Sequence, residues 1–281
     1  MRTTVANQRI LIFKDDLTSE EAEKLASKRK IDAFGTVLKV ASILSRPKED
    51  DFKLVYSEHR YQPIWFLKGE SNYVYDRKTT YELPIEGDEI QKLTINKKEY
   101  PVTHGKVFFD SVDHCVQEEK FELYVDGITG EKQPALSKYL EFESKQLDKN
   151  NLKDLNPSFI MVPPKTRVSG LVNQILGSSI KAIEADKIYK EKIDISNVDL
   201  YYRPVYAFQY SWITKKKEVI VEVDALTGEI TFGEQVFKKY LGKALDQNFL
   251  FDVGADAAGM FIPGGSIAVK IAKKYLESKR K

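Results

Sequence analysis

Aromatic and β-branched residues recur along the chain in short runs bounded by Gly and Pro, a pattern that predicts β-strands. The clearest example is residues 199–230, where strands are predicted at 198–212 and 218–224. A looser copy lies upstream, because Arg-Tyr-Gln-Pro-Ile-Trp at 60–65 matches Tyr-Tyr-Arg-Pro-Val-Tyr at 201–206. This similarity predicts an internal duplication.

Each copy ends in the same predicted turn. Val-Asp-Gly-Ile-Thr-Gly-Glu at 125–131 corresponds to Val-Asp-Ala-Leu-Thr-Gly-Glu at 223–229. Asp accepts hydrogen bonds from loop amides and Gly supplies a positive φ, so we interpret Asp126 and Asp224 as turn residues rather than as a pair of catalytic carboxylates. The proline-to-glycine spacing is about 43 residues longer in the first copy, which predicts an insertion at about 73–116.

Helical spacing of apolar residues predicts several helices between these strands. The first begins at Thr18 or Ser19 and extends to Leu44, either unbroken or with a break near 28–32. The remaining predicted helices lie at 136–147, from Thr166 to about 189, at 235–245 and at 266–279.

These elements predict an α+β protein with two pseudo-repeated units, each an antiparallel sheet with helices packed on one face, and a C-terminal apolar and basic helical tail. The polar run 150–156 before Pro157 is the best linker. We therefore expect a first unit at 1–150, a second at 151–248, and the tail at 249–281.

Composition narrows the function classes. The net charge of the 281 residues is only +2, so no overall basic field attracts nucleic acid, and nucleic acid is an unlikely class of partner. The single cysteine, Cys115, excludes an internal disulfide framework. The first residues lack the pattern of a signal peptide, and we expect neither a transmembrane helix nor export. A cytoplasmic protein is the expectation.

The series of a helix and two or three antiparallel strands, the last ending in Val-Asp-Ala-Leu-Thr-Gly-Glu-Ile at 223–230, resembles the PepSY unit. The two copies together resemble tandem PepSY-like domain proteins of uncharacterised function. The resemblance is best over about 165–232 and partial over about 19–140. It implies a binding, inhibitory or accessory module without catalytic residues. Our preferred prediction is a non-catalytic adaptor that binds a protein or ligand through its sheets.

Catalytic, metal and cofactor sites are not expected. His59, His104, His114 and Cys115 lack the spacing of metal ligands. His114 and Cys115 are adjacent, so on a strand their side chains point to opposite faces and cannot form a His–Cys pair.

Two predicted helix starts are candidates for anion binding, because helix N-termini bind phosphate through free amides and the dipole. Simple capping is the alternative for both. They predict, as an alternative function, an enzyme or binding protein for a small anionic ligand. Their residues are Lys165, Thr166, Arg167, Gly264, Gly265, Ser266 and Lys270.

The tail combines a glycine-rich apolar run with a basic amphipathic helix. It could pack on its own sheet, dock on a protein partner or a second copy, or lie on an anionic membrane surface as in a peripheral membrane protein. The predicted docking residues are Phe249, Phe251, Met260, Phe261, Ile262, Lys273 and Lys274.

Overall fold

Strands dominate the fold in the computed structural model, which describes residues 2–35, 49–147, 159–178, 183–233 and 235–237. The chain is a mixed α+β protein. Its strands are β1 (Arg2–Val5), β2 (Arg9–Phe13), β3 (Phe52–Pro84), β4 (Lys92–Ile95), β5 (Lys98–Pro101), β6 (Lys106–Asp126), β7 (Ser144–Leu147), β8 (Ile160–Met161), β9 (Lys187–Trp212), β10 (Lys217–Asp224) and β11 (Ile230–Gly233). Its α-helices are α1 (Ser19–Ala33) and α2 (Val168–Ser178), and a 3₁₀-helix spans Pro134–Glu141.

Two long antiparallel strands, β3 and β9, form the centre of the main sheet. They pair from Phe52 opposite Trp212 to Asp76 opposite Lys187. On the outer edge of β3 lie β8 and then β6. Along the outer edge of β9 lie β1 and β2, both parallel to it, and β10, which is antiparallel. Strand β7 pairs with β2 and β11 pairs with β10. The two predicted sheets are therefore one sheet.

Both described α-helices lie on the same face of this sheet, and each covers strands that are far from it in sequence. Helix α1 precedes β3 but places Ala22 and Ala26 against the second half of β9 and against β10. Helix α2 precedes β9 but joins the core around Trp65 of β3 and Leu123 of β6, together with the first half of β9. Burial of these apolar side chains is the main stabilising contribution.

The opposite face is covered by irregular segments. Successive side chains of a strand point to opposite faces of the sheet. Trp65 points to the face that the α-helices cover, so Ile64 points to the other face. Leu136 and Tyr139 of the 3₁₀-helix pack there with Ile64. Phe237 packs on the same face near β8.

Strands β3 and β6 extend beyond β9 as a two-stranded hairpin. Asp76 is the last residue of β3 paired with β9, whereas the β3–β6 ladder continues to Pro84 opposite Lys106. The small β4–β5 hairpin lies between them in sequence. We call residues 77–113 the arm. The arm lies within the range 73–116 where an insertion is predicted, and the insertion itself stays a prediction.

Several predicted elements are corrected. The helix predicted at 136–147 is a 3₁₀-helix followed by β7, because residues 144–147 pair with β2 instead. The helix predicted to run to 189 ends at Ser178, since residues 187–212 pair with β3. The capping box of Thr18 and Glu21 confirms the start of α1, which ends at Ala33.

Other predictions fall outside the described residues. They include the continuation of the first helix over 36–44, the linker at 150–156, most of the helix at 235–245 and the whole tail, 249–281. Residues 235–237 have no regular secondary structure. The division of the chain at 150–156 stays a prediction.

Candidate functional site

A buried polar cluster lies on the face opposite the α-helices, where Arg203 of β9 meets the 3₁₀-helix. The Arg203 guanidinium donates to the hydroxyl of Tyr139 at 2.6 Å and to Oε1 of Gln62 at 2.5 Å, and its Nη1 lies 3.1 Å from Oδ2 of Asp224. The Tyr139 hydroxyl donates to the same Oδ2 at 2.5 Å. Burial, reinforced by Asp224, raises the pKa of Tyr139 although Arg203 opposes the shift. The phenol is therefore a hydrogen-bond donor, not a base, at neutral pH.

A cavity of about 220 Å³ opens beside this cluster, between the 3₁₀-helix and strands β10 and β11. Its lining has two cations, Lys138 and Arg203, and three carboxylates, Glu222, Asp224 and Glu229. Lys138 Nζ is 2.6 Å from Oε2 of Glu229, and both side chains are about half exposed. The cations thus already have carboxylate partners, and the Lys138–Glu229 pair is the one that a ligand from solvent could separate.

A second buried network is centred on Arg60 of β3, whose side chain is 1% exposed. Its Nη1 donates to Glu58 at 2.7 Å and to the carbonyl oxygen of Gln235 at 3.2 Å, and its Nη2 contacts Glu222. The backbone N–H of Phe237 donates to both Glu58 oxygens, and its ring lies 4.7 Å from the guanidinium. These contacts fix residues 235–237 on the sheet.

A third cluster lies around Asp15, in the loop between β2 and α1, on the face of the sheet that the α-helices cover. Nε2 of His59 is 3.0 Å from Oδ2 of Asp15. The Tyr206 hydroxyl donates to the same oxygen at 3.2 Å, and the Tyr61 hydroxyl donates to Oδ1 at 3.1 Å. The His59 ring stacks on Tyr206 at 4.3 Å. Asp15 and Tyr61 also line a cavity of about 460 Å³ next to β7.

The charge state of this cluster follows from its contacts. Burial alone raises the pKa of Asp15, but the contact with His59 and the hydroxyls of Tyr61 and Tyr206 outweigh it, so the pKa is lowered. Burial, with Asp15 nearby, raises the pKa of Tyr206 to about 12. Asp15 is therefore a carboxylate that contacts three surrounding rings, those of His59, Tyr61 and Tyr206.

The two Asp-x-x-Thr-Gly turns have the same hydrogen bonds. Gly130 N–H donates to the carbonyl of Asp126 at 2.8 Å, and Gly228 N–H donates to that of Asp224 at 2.8 Å. Both glycines have a positive φ, 81° and 70°. Each turn is also hydrogen-bonded to the proline of its own copy, through Gly127 in the first and Ala225 in the second. The prediction of a turn at both positions is confirmed.

The predicted anion site before α2 is occupied by contacts within the protein. Nζ of Lys165 donates to the carbonyl oxygen of Thr129 at 2.9 Å, and its backbone N–H donates to Gly127 at 2.7 Å. The carbonyl oxygen of Thr166 accepts from the indole of Trp65 at 3.1 Å. These contacts tie the helix start to the first turn. The other predicted anion residues, Gly264, Gly265, Ser266 and Lys270, lie outside the described part of the chain.

The predicted docking residues, Phe249, Phe251, Met260, Phe261, Ile262, Lys273 and Lys274, also lie outside it. The remaining candidates have structural partners. Nδ1 of His114 lies 2.7 Å from Asp76, and the Cys115 thiol contacts the carbonyl of Asp113. Across the described ranges, no three His, Cys, Asp or Glu side chains are grouped so as to hold a metal ion. Nor does any helix there have the length and apolar character needed to cross a membrane.

Sequence reasoning missed the Arg60 network and the Asp15–His59 cluster. Asp15 and His59 meet only because β3 passes the loop after β2, and nothing in the local sequence of either residue signals the other. Arg60 was part of the repeat motif, three residues before the matched Pro63, and its place in that motif was the available signal. Comparison with models of protein families, with curated proteins and with solved structures found no match to the chain.

Proposed function

We propose that the protein is a non-catalytic binding or adaptor protein built from two PepSY-like units, which holds a protein partner on the arm. The duplication is supported by the equivalent turns and by their matching hydrogen bonds to Pro63 and Pro204. In this interpretation the units share helices, since α1 covers strands of the second copy and α2 covers β3 and β6 of the first together with part of β9. The shared helices and the single sheet make the two units one support for the arm.

The exposed apolar side chains of the arm carry the proposal. Phe108 is 44% exposed and Val112 48% exposed on a two-stranded hairpin, and neighbouring Val116 is 69% exposed. They lie on one face of β6, because residues four apart on a strand point the same way. Apolar groups clustered on a projecting element favour a protein-binding surface. By contrast, buried Arg60, Asp199 and Asp224 each pair with a residue of opposite charge.

Site-specific photocrosslinking tests this proposal. A benzoylphenylalanine at Phe108 is expected to give a discrete adduct in cells, and the same probe at Phe232, which is 50% exposed on β11, is the matched control. The adduct protein is then purified, and Val112→Lys is expected to weaken its binding about tenfold or more, because a charge is buried at the contact. Equal adducts at both positions, or binding unchanged by Val112→Lys, would overturn the proposal.

Binding of a small anionic ligand remains a second candidate function, and the cavity beside Lys138 favours it. A ligand carboxylate or phosphate could replace Glu229 as the partner of Lys138 and lie near Arg203. Inorganic phosphate is then expected to raise the thermal unfolding midpoint of the wild type but not of Lys138→Gln, with Lys165→Gln as the control. An equal response of the wild type and Lys138→Gln would contradict this candidate.

The tail is proposed as a further docking element of a cytoplasmic or membrane-peripheral protein. Flotation with anionic vesicles compares the full chain with a truncation after Asn248. Flotation of the full chain alone supports a membrane contact through the tail. Absence of flotation in both leaves a protein partner or the protein's own sheet as the contact of residues 249–281.

A further inference from the structure

Strand β6 forms a long edge of the main sheet. Over the described residues β3 is the one strand that pairs with it, and the N–H and C=O groups on the other side of residues 107–123 have no ladder partner. The two ends of this side are bonded within the chain, Lys106 to Thr103, and Tyr124 and Asp126 to residues 131–133. Its ladder with β3 runs without a register shift from Ile64–Asp126 to Pro84–Lys106. A regular, unpaired strand edge is a template for another strand.

This edge lacks some of the features that usually block pairing. Strand β6 contains no proline or glycine, and it exposes Phe108, Val112 and Val116 on one face. The strand does carry charge. It has two lysines and six acidic residues: Lys106, Lys120, Asp110, Asp113, Glu118, Glu119, Glu122 and Asp126. A strand that pairs here must therefore avoid placing acids opposite these acids.

We propose that the occupant of this edge is β6 of a second copy, paired antiparallel about a two-fold axis at Cys115. In this register Lys120 of each copy lies opposite Asp110 of the other, which gives two ion pairs. No two like charges lie opposite each other. Phe109 faces Phe121, and Val107 faces Leu123, on the face that β6 shares with the α-helices.

The register follows from sheet geometry and charge. In one continuous sheet, residues on the same face must lie opposite each other, so the two-fold axis passes through a residue rather than between two. Among axes at positions 113 to 120, only the one at Cys115 pairs opposite charges without pairing like charges. An axis at Val112 also places Lys106 opposite Glu118, but it aligns only residues 106–118.

This inference rests on the proposed binding function, since it names a second copy as one partner of the arm and its edge strand. Size-exclusion chromatography with light scattering on the full chain is expected to show a dimer that dissociates on dilution. Directly opposite residues have Cβ atoms about 4.5–5.5 Å apart, so mild oxidation is expected to link the dimer through Cys115. A chain that stays monomeric at every concentration and gives no disulfide would overturn the inference.

Moving the cysteine tests the register. In the variant Cys115→Ser with Val112→Cys, residue 112 lies opposite Glu118, so the yield of disulfide-linked dimer is expected to fall to the level obtained in denaturant. Strong linkage through residue 112 and none through Cys115 would instead place the axis at Val112 and overturn the proposed register.

A charge exchange tests the ion pairs. Lys120→Glu and Asp110→Lys are each expected to weaken dimerisation roughly tenfold, because each change sets like charges opposite each other twice. The double variant is expected to recover most of the wild-type affinity. Ten residues of strand separate the two positions by roughly 34 Å, so recovery cannot arise within one chain. Single variants that dimerise like the wild type, or a double variant without recovery, would overturn the inference.

The outcome also separates this inference from the proposed function. A monomer that still gives a different protein as the Phe108 adduct overturns the dimer and leaves the adaptor proposal standing. A Cys115-linked dimer whose Phe108 probe gives only the second copy supports the dimer and overturns the proposal of a different protein partner.

Discussion

Asp126 and Asp224 hold their turns through the same pair of hydrogen bonds. Oδ1 of Asp126 accepts from the N–H groups two and three residues later at 2.8 and 2.9 Å, and Oδ1 of Asp224 does the same at 2.9 and 3.1 Å. Asp224 is buried, and its second oxygen also contacts Tyr139 and Arg203. The turn hydrogen bonds are common to both positions, whereas Asp224 alone of the two joins the network with Tyr139 and Arg203.

Removing the two carboxylates is therefore expected to have unequal effects. Asp126→Ala loses the turn hydrogen bonds and should cost about 1–2 kcal/mol of unfolding free energy. Asp224→Ala also leaves Arg203 buried without its carboxylate, so it should cost about 3–5 kcal/mol. Urea unfolding of both variants measures the difference. Equal losses would mean that the Arg203 contacts contribute nothing to stability.

The turns were predictable because their chemistry is local. Asp, Thr and Gly within five positions specify the loop hydrogen bonds and the positive φ without reference to the rest of the chain. The capping box at Thr18 and Glu21 was predictable for the same reason. Strand content over 60–67 and 198–212 also followed from residue types.

The pairing of strands that are distant in sequence could not be predicted from local residue types. Pairing of β3 with β9 joins residues far apart in sequence, and no local pattern specifies that register. Residues 187–197 were predicted as the end of a helix and the loop after it, yet pairing with β3 makes them strand, because tertiary context overrides local propensity. The Asp15–His59 contact depends on the same pairing.

Close packing at Gly69 gives a second prediction. The glycine lies at a register shift between β3 and β9, where a β-carbon would overlap the carbonyl oxygen of Asp194 and lie 2.5 Å from Cζ of Phe121. Gly69→Ala should cost about 3 kcal/mol, because the backbone oxygen cannot move aside cheaply. Gly177→Ala is the control, since nothing lies within 4 Å of its β-carbon position in α2. It should be neutral or stabilise by up to about 1 kcal/mol.

Thermal or urea unfolding compares the two glycine variants. A Gly69→Ala protein as stable as the wild type would show that β3 and β9 can separate locally without loss of the ladder.

The Arg60 network predicts that one substitution will loosen residues 235–237. Glu58→Gln leaves a neutral acceptor for the Phe237 N–H and removes one of the two carboxylates beside buried Arg60. Glu222 remains as its partner, so the unfolding free energy should fall by about 1–3 kcal/mol. Hydrogen exchange of the Phe237 amide should quicken by more than the global change explains. Glu218→Gln, an exposed position on β10, is the control. Equal hydrogen-exchange rates of the Phe237 amide in the wild type and in Glu58→Gln would show that Glu58 does not hold Phe237 in place.

The lowered pKa of Asp15 predicts a pH-dependent contribution to stability. A carboxyl whose pKa is lower in the folded than in the unfolded chain stabilises the fold when ionised, so its contribution is complete above the unfolded value, about 3.9. That contribution disappears as the pH falls through the folded pKa. Asp15→Asn should therefore cost about 1–2 kcal/mol at neutral pH.

The test is the difference in unfolding free energy between wild type and Asp15→Asn across the acidic range. The difference should be constant above about pH 5 and should shrink steadily below the unfolded pKa. Tyr61→Phe removes one hydroxyl that donates to Asp15 and so raises the folded pKa of Asp15. In that background the shrinkage should begin at the same pH, which the unfolded chain sets, but it should be smaller and complete at a higher pH. A difference that stays constant into strong acid would show that the carboxylate charge of Asp15 has no part in holding His59, Tyr61 and Tyr206 together.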